Sequence, residues 1–281
     1  MAKKKISSIL PRSVGRPVVE TRTSTFFNEG DLRQILFALS LNANLPIQNQ
    51  VARAISNAMT LRIFQSSRLP PERKLAELLG VSRPTIRQAL LLLRKAGLTS
   101  AGSSTRAGTS LKELSRSSHT NLLKNLYQEI QDIMEFRIAL ETWAVRLATR
   151  AADSNFINKL NQAINENEKS PNPSEFRRSD TVFHLAIAQQ TKNFHLISAI
   201  AIARSEFLRY RDMHPMPDNV ALNVSEHRKI LISIMAGDQD GAAAAMTAHL
   251  QSSLHTFIWS VANLENHKKI KKHQQLKNKK I

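Results

Sequence analysis

From Asn121 onward apolar residues return every three or four positions, and no segment alternates as a half-buried strand does. Breaks fall at Ser170 to Pro173, at Met213 to Asn219 and at Gly237 to Gly241. Glu129 to Ala151, with Ile130, Ile133, Met134, Ile138, Ala144, Leu147 and Ala148 at helical spacing, predicts a long core helix. Asp238 to Val261 predicts the last one, a run of alanines leading into Met246, Leu250, Leu254, Phe257 and Ile258. The pattern therefore predicts an all-helical bundle over residues 121–260.

Upstream, the pattern is denser in signals. Asp31 to Leu41 and Gln48 to Phe64 each predict a helix. Between Leu69 and Leu90 the chain reads as a helix, a tight turn and a second helix. Pro71 suits a helix start, Leu75, Leu78 and Leu79 form an apolar stripe, and Gly80 suits a left-handed stop. Ser82 can cap the next helix, Pro84 fits its first turn, and Ile86, Ala89, Leu90 and Leu93 give it a face to bury before Gly97 ends it. Left outward on the second helix are Ser82, Arg83, Thr85, Arg87 and Gln88, groups suited to phosphates and base edges. Arg73, one helix earlier, is placed to reach the sugar-phosphate backbone of double-stranded DNA as the second helix enters the major groove.

Charge sharpens this picture through its distribution. Residues 1–118 carry 19 Lys and Arg against 6 acids, net +13, while residues 119–260 carry 14 against 15, net −1. A lysine-rich end, residues 261–281, adds 7 against 1, net +6, and reads as a solvated, disordered tail. The basic field lies on the half with the paired helices and favours a polyanion, with steep salt dependence. Membrane is the weaker partner, because no apolar run approaches the ~20 residues of a span. The start, MAKKKISSILPRSVGRPVV, lacks a sustained apolar stretch, so a cytoplasmic location is expected. With no cysteine in the chain, any metal is held by His, Asp, Glu or main-chain oxygen.

Four residues of the second half supply such donors. Asp180 and His184 stand four apart on one helix, which puts them on one face, while His227 opens another helix and His249 lies within the last. Three imidazoles and a carboxylate suit a divalent first-row metal, zinc first, with nickel, manganese or iron as alternatives. Arg137 has two readings, a bidentate partner for an effector carboxylate or an ion pair with Glu141 four residues on.

The stretch LPPERKLAELLGVSRPTIRQALLLLRKAGL resembles the winged helix-turn-helix of the GntR family of bacterial transcription regulators. That resemblance implies DNA contacts from Arg73, Ser82, Arg83, Thr85 and Arg87, with a wing hairpin over Thr99 to Leu111. The segments FRIALETWAVRLAT, DTVFHLAIAQQTKNFHL and EHRKILISIMAGDQDGAAAAMTAHL resemble the FadR-type C-terminal domain that follows this module. In metal-containing members of that family one Asp and three His bind the ion, and the matching positions here, Asp180, His184, His227 and His249, are all filled. Four protein donors in a six-coordinate shell leave two places, which a carboxylate with an adjacent hydroxyl or keto oxygen would occupy. A small organic or sugar acid is thus the effector the resemblance implies.

These readings give a mainly α fold in four parts: a basic, partly disordered extension over 1–45, a winged helix-turn-helix over 46–112, an all-helical effector-binding and dimerisation domain over 121–260, and the tail. The expected function is a homodimeric transcription regulator, a repressor released from a palindromic operator by a small acid bound at the metal, and not an enzyme. Two other readings of the same cluster are a metal-dependent hydrolase with Glu226 as base and a direct metal sensor.

Overall fold

The computed structural model describes residues 27–40, 44–64, 69–100, 110–111, 127–213 and 219–278. In chain order these form α1 (Glu29–Ser40), α2 (Ile47–Thr60), α3 (Glu72–Leu79), α4 (Arg83–Lys95), β1 (Thr99–Ser100) and β2 (Ser110–Leu111). There follow α5 (Tyr127–Arg150), α6 (Ser154–Glu168), α7 (Pro173–Gln190), α8 (Phe194–Met213), α9 (Val220–Met235) and α10 (Gln239–Asn278). The fold is mainly α, and its two short strands pair antiparallel, Thr99 with Leu111 and Ser100 with Ser110. They frame the expected wing, whose tip lies outside the described residues.

Local chemistry explains the boundaries. Gly80 takes φ +65 after α3, where its amide bonds to the Ala76 carbonyl. Ser82 then caps α4, its Oγ accepting from the Thr85 amide, with Pro84 in the first turn. Downstream, Asp153, Asn172 and Asn219 cap α6, α7 and α9 through side-chain oxygens. Such caps are worth about 1 kcal/mol each and fix where a helix begins. The turn between α7 and α8 has no glycine: Lys192 adopts φ +53, and Asn193 accepts from the amides of His195 and Leu196.

Helix α7 is the centre of the bundle. Every residue from Ser179 to Ala188 is buried, the signature of a helix wrapped on all sides. It packs against α5, α6 and α8, while α10 lies along α5 and α9. On the other side α2 and α4 pack together, with α3 against α4, around Ile55, Leu75, Ile86 and Leu93.

Residues 1–26 and 41–43 of the 1–45 extension lie outside the described residues; within it stands α1, where the apolar pattern predicts a helix over Asp31 to Leu41, with Leu32, Ile35, Leu36, Ala38 and Leu39 buried. At the other end the expected disordered tail is helical as far as Asn278. No glycine or proline interrupts the chain after Gly241, and its lysines, glutamines and leucine propagate a helix already begun.

Candidate metal centre and nucleic-acid interface

Three helices bring the four predicted ligands together. Asp180 and His184 lie one turn apart on α7, His227 lies on α9 two turns past the Asn219 cap, and His249 lies on α10. All four are buried, and each offers one donor atom such that the donors lie within 4.8 Å of one another. His184 Nε2 is 3.1 Å from His249 Nε2, while Asp180 Oδ1 is 3.8 Å from His184 Nε2 and 3.5 Å from His227 Nε2.

The groups behind the donors set their orientation. His184 Nδ1 donates to Glu141 Oε2 at 2.5 Å, and His249 Nδ1 donates to Glu226 Oε2 at 2.9 Å. A carboxylate only accepts, so each pair puts the ring proton on Nδ1 and leaves Nε2 with a bare lone pair turned inward. Asp180 is held at both oxygens, Oδ2 by Arg204 at 2.8 Å and Oδ1 by Asn223 at 3.0 Å. His227 stacks on Phe183 with ring centroids 3.9 Å apart, and neither of its ring nitrogens has a hydrogen-bond partner.

This donor set fits a divalent cation. Two bare imidazole nitrogens facing each other at 3.1 Å repel unless a positive centre sits between them, and the orphaned His227 nitrogen needs the same partner. Protonation is ready for it. Burial, with the Arg204 guanidinium adding to it, pushes His184 down to about 4. Burial also holds His227 well below the usual imidazole range, helped by His249. Burial alone would raise the Asp180 carboxyl, but Arg204 and the neighbouring imidazoles outweigh it and hold it well below the carboxylate range. At neutral pH His184 and His227 are thus neutral rings beside an anionic Asp180 oxygen.

Of the two sequence readings of Arg137, the structure shows the ion pair with Glu141. The arginine is buried, its Nε donates to Glu141 Oε1 at 2.8 Å, and it lies 5.2 Å over the Phe207 ring. It also lines a small cleft, partly open to solvent, together with Asp180, His184, Arg204 and His249. An outer cleft shares Asn223 and His249 with it and adds Glu226, Ser252 and Thr256. Sequence reasoning missed Arg204 and the role of Glu141 behind His184. A signal existed in AIARSEFL, where a lone arginine interrupts an apolar helix face.

The predicted DNA-facing residues remain on the surface. Ser82, Arg83 and Arg87 are exposed and Thr85 is half-buried along the first turns of α4, and Arg73 is exposed in the first turn of α3. Arg73 pairs with Glu77 at 3.0 Å and Arg87 with Glu72 at 2.9 Å, solvent-exposed contacts that contribute little and are readily exchanged for phosphate. Ser82 spends its hydroxyl on the cap, bonding to Thr85 through both its amide and its side chain.

A helix-turn-helix with a basic reading face, joined to a helical bundle with a cation-fitting cleft, defines a ligand-responsive transcription regulator. Comparison with known families agrees: the profile of bacterial regulatory proteins of the gntR family matches residues 47–109, and that of the FCD domain matches 132–252. The chain is 32% identical over 203 residues to a putative L-lactate dehydrogenase operon regulatory protein of Escherichia coli K12, covering 67% of this chain and 77% of that one. It is 29% identical to the Uxu operon transcriptional regulator of the same strain, covering 66% and 76%. It is likewise 29% identical to the HTH-type transcriptional repressor NanR of Cronobacter sakazakii, covering 67% and 76%. The chain belongs to the GntR family, in the branch whose second half is an FCD ligand-binding domain; it is a DNA-binding transcription regulator and not an enzyme. Among the described residues no helix is long and apolar enough to cross a membrane.

Proposed function

We propose that the protein is a cytoplasmic homodimeric repressor, released from a palindromic operator when a small organic or sugar acid binds at a divalent metal in the FCD domain. Asp180 Oδ1 and the Nε2 atoms of His184, His227 and His249 hold the ion, with zinc the first candidate. Glu141 and Glu226 fix two of the rings in the ligating tautomer. When bound, a divalent ion supplies Lewis-acid positions beyond these donors for a carboxylate and its neighbouring hydroxyl or keto oxygen. Arg137, in the same cleft, pairs with the acid's charge. One observation carries this reading: His227 is buried with neither ring nitrogen hydrogen-bonded, at the convergence of the other three donors.

On the DNA side Arg83, Thr85 and Arg87 address base edges and phosphates, Ser82 sets the helix start beside the backbone, and Arg73 contacts phosphate. A dimer places two such helices in successive major grooves, so a small rotation of one subunit misplaces a reading helix. The effector shifts that balance only by its difference in affinity for the two arrangements, typically ~1–3 kcal/mol. A relative named for an L-lactate dehydrogenase operon fits an acid effector.

The test is a thermal-shift screen of hydroxy acids and sugar acids on zinc-loaded protein, followed by operator release with each hit. Stabilisation by one acid that also releases operator supports the proposal. Release by zinc alone, with no response to any acid, would make the metal itself the signal. Glu226, the base of a hydrolase reading, is engaged by His249, and family membership sets that reading aside.

A further inference from the structure

Helix α1 precedes both matched family segments, yet it is among the better-buried elements of the molecule. Asn28 and Asp31 cap it reciprocally, each side chain accepting from the other's amide, so its start is locally determined. Its apolar residues at helical spacing, Leu32, Ile35, Leu36 and Leu39, are buried against α2 and α3 on one side and α8 on the other.

The polar contacts of α1 repeat this division. Glu29 bonds to Lys74 of α3 at 2.6 Å. Asp31 accepts from Lys159 of α6 at 3.0 Å, and the same ammonium lies 5.1 Å over the Phe27 ring. The Ala38 carbonyl accepts from Ser198 of α8 at 2.9 Å, and Phe37 meets Phe194 at 5.5 Å between ring centroids. Helix α8 carries Arg204, bonded to the ligand Asp180, and Phe207, beneath Arg137, so the helix that seats α1 also borders the cleft.

We propose that α1 is a strap that seats the DNA-reading helices on the FCD bundle through α8, so that the two move as one body. Direct polar links to α8 also run from α2, Asn57 to Arg209 and Arg53 to Glu206, and from Arg62 just after α2 to Asp212. The apolar ridge of α1 adds buried side chains to these. Burial of this kind, rather than exposed ion pairs, decides whether two packed bodies open or stay closed.

The absence of cysteine makes the test direct. Gln88→Cys on α4 and Asn161→Cys on α6, both exposed, take spin labels in the full chain, and pulsed EPR reads the distance between them. Diluted with unlabelled protein, so that a labelled dimer carries one labelled subunit, the chain with an unaltered strap should give a single narrow distribution. Leu36→Asp should broaden it with helical content by circular dichroism retained. Phe37→Ser, at an exposed side chain, and Lys159→Met, at a half-buried one, each remove single contacts of α1 and should broaden it less, with circular dichroism again checking the fold. If Leu36→Asp unfolds the chain, the milder pair decides alone. A distribution that stays narrow in both milder variants would overturn the proposal.

Discussion

The two ends of this regulator handle charge in opposite ways. In the FCD bundle Arg137, Glu141, Asp180 and Arg204 are buried and bonded to one another, and each has its place set by at least one partner. On the helix-turn-helix Arg73 and Arg87 lean on glutamates in open solvent. A buried charge that loses its partner is costly, whereas an exposed pair opens for little. The bundle charges therefore hold a shape, and the reading-helix charges stay available to a competing anion.

Substitutions can break that contrast, and the largest effect is expected at Arg204. Arg204→Met leaves Asp180 and Glu141 short of a buried cation and should cost about 3–5 kcal/mol, read by thermal unfolding of the metal-free protein. A change under 1 kcal/mol would mean the bundle charges are as loosely held as the surface ones.

Acid is the next probe. His184 is held near 4 in the fold against 6.5 free, and His227 is depressed as well, so below pH 6.5 the unfolded chain binds more protons than the native one. Metal-free stability should therefore be complete above pH 6.5 and fall as the pH drops from 6.5 to 4. Chemical denaturation across that range should show the loss, and a flat profile would contradict the burial of these rings.

A smaller effect is expected behind the ligands. Glu226→Leu removes the acceptor that fixes His249 and should weaken zinc binding roughly 10–100-fold by titration calorimetry, while Glu226→Gln, which still offers an acceptor oxygen, should lose less. Equal losses would point to charge rather than ring orientation. Arg83→Ala sharpens the comparison from the other side: about 1–3 kcal/mol of operator discrimination should vanish in a binding assay, with the melting temperature unmoved. A shifted melting temperature would show that the reading helix is braced by its own arginines.

What could be read in advance divides along the same line. Breaks marked by proline, glycine or asparagine stood in the sequence, because those residues act on their own backbone: Pro173 begins α7, and Gly80 ends α3 with φ +65. The α7 to α8 turn was invisible because Lys192 takes the left-handed conformation without being glycine, as does Arg62 after α2. The four donor residues were legible through spacing and resemblance. Glu141 behind His184 and Arg204 behind Asp180 were not, since each pairing joins different helices and depends on how they pack. The helix of α1 was legible in its apolar spacing, but what it packs against was not, its partners lying as far along the chain as Ser198.

The capped start of α4 has one more effect. Ser82 and Pro84 hold the first turn helical in the free protein, so no helix must nucleate when a duplex is met. Encounter then spends its ordering entropy on long side chains alone, which favours rapid sampling of many sites over slow folding onto one.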